Sequence, residues 1–296
     1  MLITEQLQYA QGLSENEKTV AKYLAANLCE ISSLSITQIA QSCYVSCSTV
    51  VRLSEKLGFK GWKQLRQAIA QEQIYIHASF HEVDPNVPFH KEDTPKQIRE
   101  NLSLLLADSI ADTCSLLDDE QLHQAALFVS KASVVNVYGI SFSIEVAQDF
   151  RIKMMSIGKT VNVIDNPEEF FYYMKSTDSD TVSILISYSG ETRELVHTAG
   201  WLKVKGYSTI AITSIGGNSL SKACRHTLLL STKEKLYSKI STFSSSISIH
   251  YVLDVLCACV FALNYDQNMA YRKTMIEVMD MERTSSVSLL KENKIK

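Results

Sequence analysis

Between residues 134 and 230 the chain alternates short β-branched apolar runs with stretches of helical period, and this alternation restricts its architecture more than any other feature. Val134-Val135-Asn136-Val137-Tyr138, Thr160-Val161-Asn162-Val163-Ile164, the run from Thr181 to Ile186, Ser208 to Thr213, and Thr227 to Leu230 each read as a strand. The run from Thr181 is apolar enough to be buried on both faces, as central strands of parallel sheets are. Between strands, Ile144, Ala147, Phe150 and Met154, and later Leu195, Val196, Ala199 and Leu202, recur at helical spacing. Strand and helix in alternation predict an α/β unit, a parallel sheet covered on both faces and joined by right-handed crossovers. In such a sheet ligands collect beyond the C-terminal strand ends.

Three turns rich in small polar residues fall at those ends: Gly139-Ile140-Ser141-Phe142-Ser143, Ser187-Tyr188-Ser189-Gly190-Glu191-Thr192, and Thr213 to Ser219. The second leads from a strand directly into a helix. Free backbone N–H groups and the positive end of the dipole favour an anion there, and Ser187, Ser189 and Thr192 add neutral donors. Gly190 lets the backbone approach a ligand closely. Plain N-capping would use the same residue types. None of the turns carries G-x-x-x-x-G-K-[ST], and the first is too poor in glycine for a dinucleotide fingerprint, so ATP and NAD are disfavoured and no cofactor is expected. A hydroxyl-rich pocket with a phosphate seat suits a small phosphorylated polyol, a phosphosugar foremost.

The N-terminal part has a different grammar. Ser14 with Glu17 opens a helix over about residues 14 to 30, Ser35 to Cys43 reads as a short second helix, Tyr44-Val45-Ser46 as a turn, and Cys47 to Gly58 as a third helix. That is an all-α helix-turn-helix unit, with Ala40 small enough for a close crossing and Val45, Val50 and Leu53 as its buried face. Between residues 48 and 71 stand five basic residues (Arg52, Lys56, Lys60, Lys63, Arg66) against one acidic, inside a chain of net charge −3. Such local asymmetry is the footprint of a DNA contact. Lys60, Lys63 and Arg66 would meet phosphates, while Ser46, Ser48, Thr49 and Arg52, with Lys56 on the same exposed face, would present the reading edge. A helical protein-interaction domain with a solvated charge face is the alternative.

Three of the four prolines fall between residues 73 and 95, where the apolar period lapses, so residues 77–95 read as a flexible linker between units 1–76 and 96–296. His77 and His81 have i, i+4 spacing, but a third ligand is missing nearby and no metal site is expected. Seven cysteines without paired spacing fit reduced thiols in a cytoplasm. The chain's start has neither the basic nor the apolar region of a signal peptide, and the apolar run Tyr251 to Leu263 is interrupted by Asp254, so no membrane association is expected. Ile247, Tyr251, Val255, Cys259, Met275, Val278 and Met279 carry more apolar surface than one sheet face needs, which predicts a homodimer or higher homo-oligomer.

Residues 186–192, Ile-Ser-Tyr-Ser-Gly-Glu-Thr, are similar to the signature of the SIS (sugar isomerase) domain, and Gly139-Ile140-Ser141 and Ala211-Ile212-Thr213-Ser214 resemble its other loops. Ser35 to Ala40, Val45-Ser46, Thr49 to Arg52 and Lys56 to Trp62 resemble the helix-turn-helix of RpiR/MurR-type bacterial regulators. The resemblance implies a five-stranded SIS fold behind a DNA-binding domain, and a transcription factor whose dimers bind a palindromic operator under phosphosugar control. It further implies a phosphate seat at Ser187, Ser189, Gly190 and Thr192, a first loop at Ser141 and Ser143, and an acidic hydroxyl contact at Glu234. Two positions depart from the pattern: Ser244-Ser245-Ser246 stands where many members have Ser-Ser-Arg, and Ile249 where a glutamine is expected. A sugar-phosphate isomerase is the alternative, yet it needs a positioned general base. The converging loops offer only Glu191 and Glu234, His197 and His226 reading as structural, so an enzyme is not expected.

Overall fold

Among the residues described in a computed structural model, which are 3, 6–7, 12–28, 30–31, 34–77 and 83–279, four helices of defined range build the N-terminal unit. They are α1 (Glu15–Ala26), α2 (Ile36–Ser42), α3 (Cys47–Lys56) and α4 (Trp62–His77). Two capping boxes start the first pair, Ser14 with Glu17 and Ser35 with Gln38. Val20, Leu24, Ile39, Val50, Leu53, Leu65 and Ile69 then meet in one fully buried core, which sets the angle between α2 and α3. The turn between those two helices closes through Val45 N–H to Ala40 O at 2.9 Å and Tyr44 N–H to Gln41 O at 3.1 Å. This is a Schellman closure, and it holds Tyr44 at φ 54 where glycine is usual.

The second unit runs α5 (Pro95–Leu116), α6 (Asp119–Lys131), β1 (Val134–Tyr138), α7 (Phe142–Met155), β2 (Thr160–Ile164), α8 (Pro167–Ser176), β3 (Thr181–Ser187), α9 (Arg193–Val204), β4 (Ser208–Ser214), α10 (Ser219–Ala223), β5 (His226–Leu230), α11 (Phe243–Leu263) and α12 (Tyr265–Met279). The five strands are all parallel in the order β2-β1-β3-β4-β5. Alternation within strands divides the core. Val135, Val137, Ile184, Ile186, Ile210 and Ile212 face α6, α7 and α11, whereas Tyr138, Leu185 and Ala211 face α8, α9 and α10. Every residue of β3 is buried, so its end is held from both faces and both edges.

Helix α11, at 21 residues and mean hydropathy 1.9, is long and apolar enough to cross a membrane. It nevertheless lies on the sheet, with Ile249, Val252, Leu253, Leu256 and Val260 in the core. The helix begins well before the apolar run at Tyr251 because its early serines find partners: Ser244 Oγ meets Ser109 Oγ at 2.7 Å, and Ser248 Oγ donates to Ser244 O at 2.8 Å. Ile247, Tyr251, Val255 and Cys259 remain partly exposed on α11, and Tyr265, Met269, Tyr271, Met275 and Ile276 are exposed on α12. The side chains of Val278 and Met279 lie outside the described residues, as does His81.

The stretch expected as a flexible linker is anchored over its second half. Pro85, Asn86 and Pro88 are buried, Asn101 Nδ2 donates to Pro88 O at 3.0 Å, and Phe89 meets Phe243 edge-on at 6.4 Å. Prolines suppress regular structure here without preventing the segment from packing.

Candidate effector site and nucleic-acid interface

At the end of β3 the chain turns so that three hydroxyls face one another. Ser187 Oγ lies 2.8 Å from Thr192 Oγ1 and 3.5 Å from Ser189 Oγ, and it accepts Gly190 N–H at 3.1 Å. Ser189 Oγ accepts Glu191 N–H at 3.2 Å. Gly190 sits at φ 68, and its carbonyl accepts Leu220 N–H at 2.9 Å. The turn is thereby stapled to the loop after β4, where Ser214 N–H reaches Tyr188 O at 3.1 Å and Ser219 N–H reaches Glu191 Oε1 at 2.9 Å.

Capping separates the two readings of this turn. Ser14, Ser35, Thr94, Asp118, Asn166 and Asn218 each accept an N–H of the helix they begin. Thr192, at the start of α9, makes no such bond, because its hydroxyl is turned to Ser187. The first amides of α9 are thus left for another acceptor, in a field that favours an anion. They adjoin a cavity of about 850 Å³ lined by Tyr188, Ser189, Glu191, Thr192, Ser214, Ile215 and Thr232 through Ser238. Two lysines, Lys233 (ion-paired with Asp112 at 3.5 Å) and Lys235, and two carboxylates, Glu191 and Glu234, are among the lining residues.

The other expected effector residues fare differently. Ser141 also begins its helix, α7, without a side-chain cap and at φ 62, exposed to solvent. Ser143 is buried, its hydroxyl donating to Ile140 O at 2.9 Å and accepting Ile140 N–H at 3.2 Å, so it closes the first loop and has little left for a ligand. Neither residue lines the cavity beside Thr192. Glu234 is buried, and Oε2 accepts the N–H groups of Ser244 (2.9 Å) and Ser245 (3.0 Å), while Oε1 accepts Ser245 Oγ (2.7 Å) and Lys239 Nζ (2.5 Å). Both oxygens are thus bonded to the head of α11 and to Lys239, while Glu234 itself lines the cavity. Glu191 is bonded through Ser219 N–H, and its side chain stays exposed.

Several contributors escaped the sequence reading. Tyr188 OH donates to Glu234 O at 2.8 Å and accepts Glu234 N–H at 3.1 Å, joining the β3 turn to the loop after β5. Buried Asn218 cradles Gly190 while capping α10. Its place just before a short helix is an N-cap signal visible in sequence; its proximity to Gly190 is not.

In the N-terminal unit, Ser46, Ser48 and Arg52 on α3 and Lys60 and Lys63 beyond it are exposed. Ser46 starts α3 without a side-chain cap, its hydroxyl 2.7 Å from Ser48 Oγ and 3.1 Å from Thr49 Oγ1. Thr49 is buried and receives Arg52 Nη2 at 3.4 Å, so it orients the arginine and does not itself face outward. Arg66 is half-buried against Leu34 O at 3.5 Å. Lys56 is exposed but paired within the unit. Its ammonium turns back to Gly12 O (3.0 Å) and to buried Glu17 Oε2 (2.7 Å), where an unpaired carboxylate would be costly.

That pairing has a measurable signature. Glu17 is held down to about 2, first by Lys56 and then by Ser14 N–H. A depressed carboxyl stabilises the fold above its unfolded value and loses that contribution as pH falls through the folded one. Lys56→Met is therefore expected to destabilise the N-terminal unit at neutral pH by about 1–3 kcal/mol, discounted because the lysine is partly exposed. The gap to wild type in urea unfolding should shrink as pH falls from 4.5 towards 2. A gap independent of pH would refute the pairing.

Residues 1–74 match the helix-turn-helix domain of the rpiR family, and residues 128–257 match the SIS domain. The chain is 30% identical over 271 residues to the uncharacterized HTH-type transcriptional regulator YfhH of Escherichia coli (strain K12), covering 88% of this chain and 91% of that one. In structure it resembles the Vibrio vulnificus NanR protein complexed with ManNAc-6P, at 21% identity and TM-score 0.61 over 95% of this chain and all of that one. It also resembles the sugar isomerase domain of the RpiR transcription factor from Sphaerobacter thermophilus, at 17% identity and TM-score 0.55 over 61% of this chain and 99% of that one. With a reading helix ahead of a five-stranded SIS fold, and this kinship along most of its length, the chain belongs to the rpiR family of helix-turn-helix transcriptional regulators.

Proposed function

We propose that this regulator binds its operator through α3 and the start of α4, and that a sugar phosphate at the ends of β3 and β4 sets its affinity for DNA. The observation that carries the reading is the start of α9: hydroxyls and uncapped amides converge beside the 850 Å³ cavity, and the one charged residue of the turn, Glu191, is bonded to Ser219 N–H. ManNAc-6P in the related NanR structure supports the ligand class without specifying the sugar. The commitment of Glu191 and Glu234 to backbone amides argues against the isomerase alternative. The regulator works in the cytoplasm as a homodimer, with the apolar faces of α11 and α12 turned to the partner.

On the DNA side, Arg52 reads a base edge while Lys60 and Lys63 hold phosphates. With a duplex selected by the protein from a random pool, Arg52→Ala should cost about 1–3 kcal/mol and relax discrimination at one base pair, whereas Lys63→Ala should weaken all sequences alike and flatten the salt dependence. Unchanged affinity for both variants would contradict the interface. On the effector side, ManNAc-6P, glucose 6-phosphate and inorganic phosphate in a thermal-shift series should separate sugar-phosphate binding from simple anion binding.

A further inference from the structure

The wall of the cavity is clipped to the chain that leads out of the DNA-reading unit. Lys235, Leu236, Tyr237 and Ser238 line the cavity, and Leu236 and Tyr237 are 51% and 92% exposed, so this stretch has little packing of its own to hold it. What brackets it is Asn86: its Oδ1 accepts Lys235 N–H at 2.7 Å, and its backbone carbonyl accepts Ile240 N–H at 2.9 Å. Asn86 is in turn set by Asp84, whose Oδ1 accepts both its backbone N–H (2.8 Å) and its Nδ2 (2.9 Å) in an Asx-turn. Helix α4 of the reading unit ends at His77, nine residues before this clip.

We propose that Asn86 is a positioning residue for the cavity wall and the point at which the state of the cavity is coupled to the DNA-reading unit. The inference rests on the cavity being the effector site. A ligand that shifts residues 235–240 must carry Asn86 with them or break its two bonds to Lys235 and Ile240. Either event reaches the chain nine residues beyond the end of α4. Coupling of this kind is reciprocal, so DNA held by the reading unit must alter the stability of the wall by the same factor.

The test uses that reciprocity and no sugar. Hydrogen exchange at the amides of Lys235 and Ile240 is measured in the full-length protein, free and saturated with the selected operator duplex. Bound DNA is expected to slow both amides about fivefold or more while leaving Val182, in the centre of the sheet, unchanged; this is the lower end of the usual coupling range. Asn86→Ala, which deletes the acceptor of Lys235 N–H but keeps the backbone carbonyl bonded to Ile240, should remove the difference at Lys235 and reduce it at Ile240 while retaining DNA binding, and Asp84→Ala, which frees the clip without removing its acceptors, should reduce both. The wild-type arm stands even where a variant fails to fold. Equal exchange of the two amides with and without DNA in the wild type would overturn the proposal. A cavity that takes no sugar phosphate in the thermal-shift series would instead overturn the effector reading, and the two results are independently readable.

Discussion

Gly190→Ala is expected to destabilise the protein by about 2–4 kcal/mol and to remove the proposed phosphate seat with it. A methyl group at this position would lie 2.0 Å from Asn218 Cγ and 2.2 Å from its Oδ1, distances no real contact shows. Asn218 cannot swing aside freely: Nδ2 donates to Thr213 Oγ1 (2.9 Å) and Ser214 O (3.1 Å), and Oδ1 caps α10 through Ser221 N–H (2.9 Å). Moving it would break the cap, worth about 1 kcal/mol, and orphan buried partners, on top of the strain of φ 68 for an alanine. Gly206 supplies the control, since its φ of 76 is similar but nothing lies within 4 Å of the added carbon. Gly206→Ala should cost only about 1 kcal/mol. Urea unfolding of both variants decides the matter, and equal losses would mean that the approach to Asn218 is unimportant.

Glu234→Ala should cost about 3–5 kcal/mol, the usual consequence of removing one partner from a buried ion pair. Four groups would lose their acceptor: the N–H groups of Ser244 and Ser245 at the head of α11, the Ser245 hydroxyl, and Lys239 Nζ, whose side chain is only 12% exposed. Glu234→Gln retains shape and part of the cap but not the charge, and should fall between wild type and alanine. If Glu234 contacted only a ligand, as the family resemblance implied, both variants would melt with the wild type and lose only sugar binding.

What sequence could and could not supply follows from the range of each interaction. The strands were legible because β-branched side chains buried on both faces leave a continuous local signature. Their ends were less so: β3 and β4 each run one residue past the expected limit, since Ser187 and Ser214 continue the ladder although their hydroxyls resemble those of a loop. The hydroxyl turn was legible as a candidate anion seat, whereas its independence from capping needed the direction of Thr192's hydroxyl. Lys56 appeared to be an outward cation because its partner, Glu17, lies 39 residues earlier. Asn86, 149 residues from Lys235, looked like linker for the same reason. Pairings of this range leave no periodic trace, and charge counts cannot say which way a lysine turns.

The central claim, that the turn from Ser187 to Thr192 controls DNA binding through a sugar phosphate, is tested most directly by titrating the selected operator with wild type and Ser189→Leu. Each protein is measured with and without the sugar phosphate that most raises the wild type's melting temperature. Wild-type affinity is expected to change by roughly 5- to 150-fold, the usual size of an allosteric coupling. The leucine, which fills the seat and removes a donor, should bind the ligand-free operator like the wild type and show no change on adding the sugar. A variant that responds as the wild type does would mean that the turn is a helix start and nothing more.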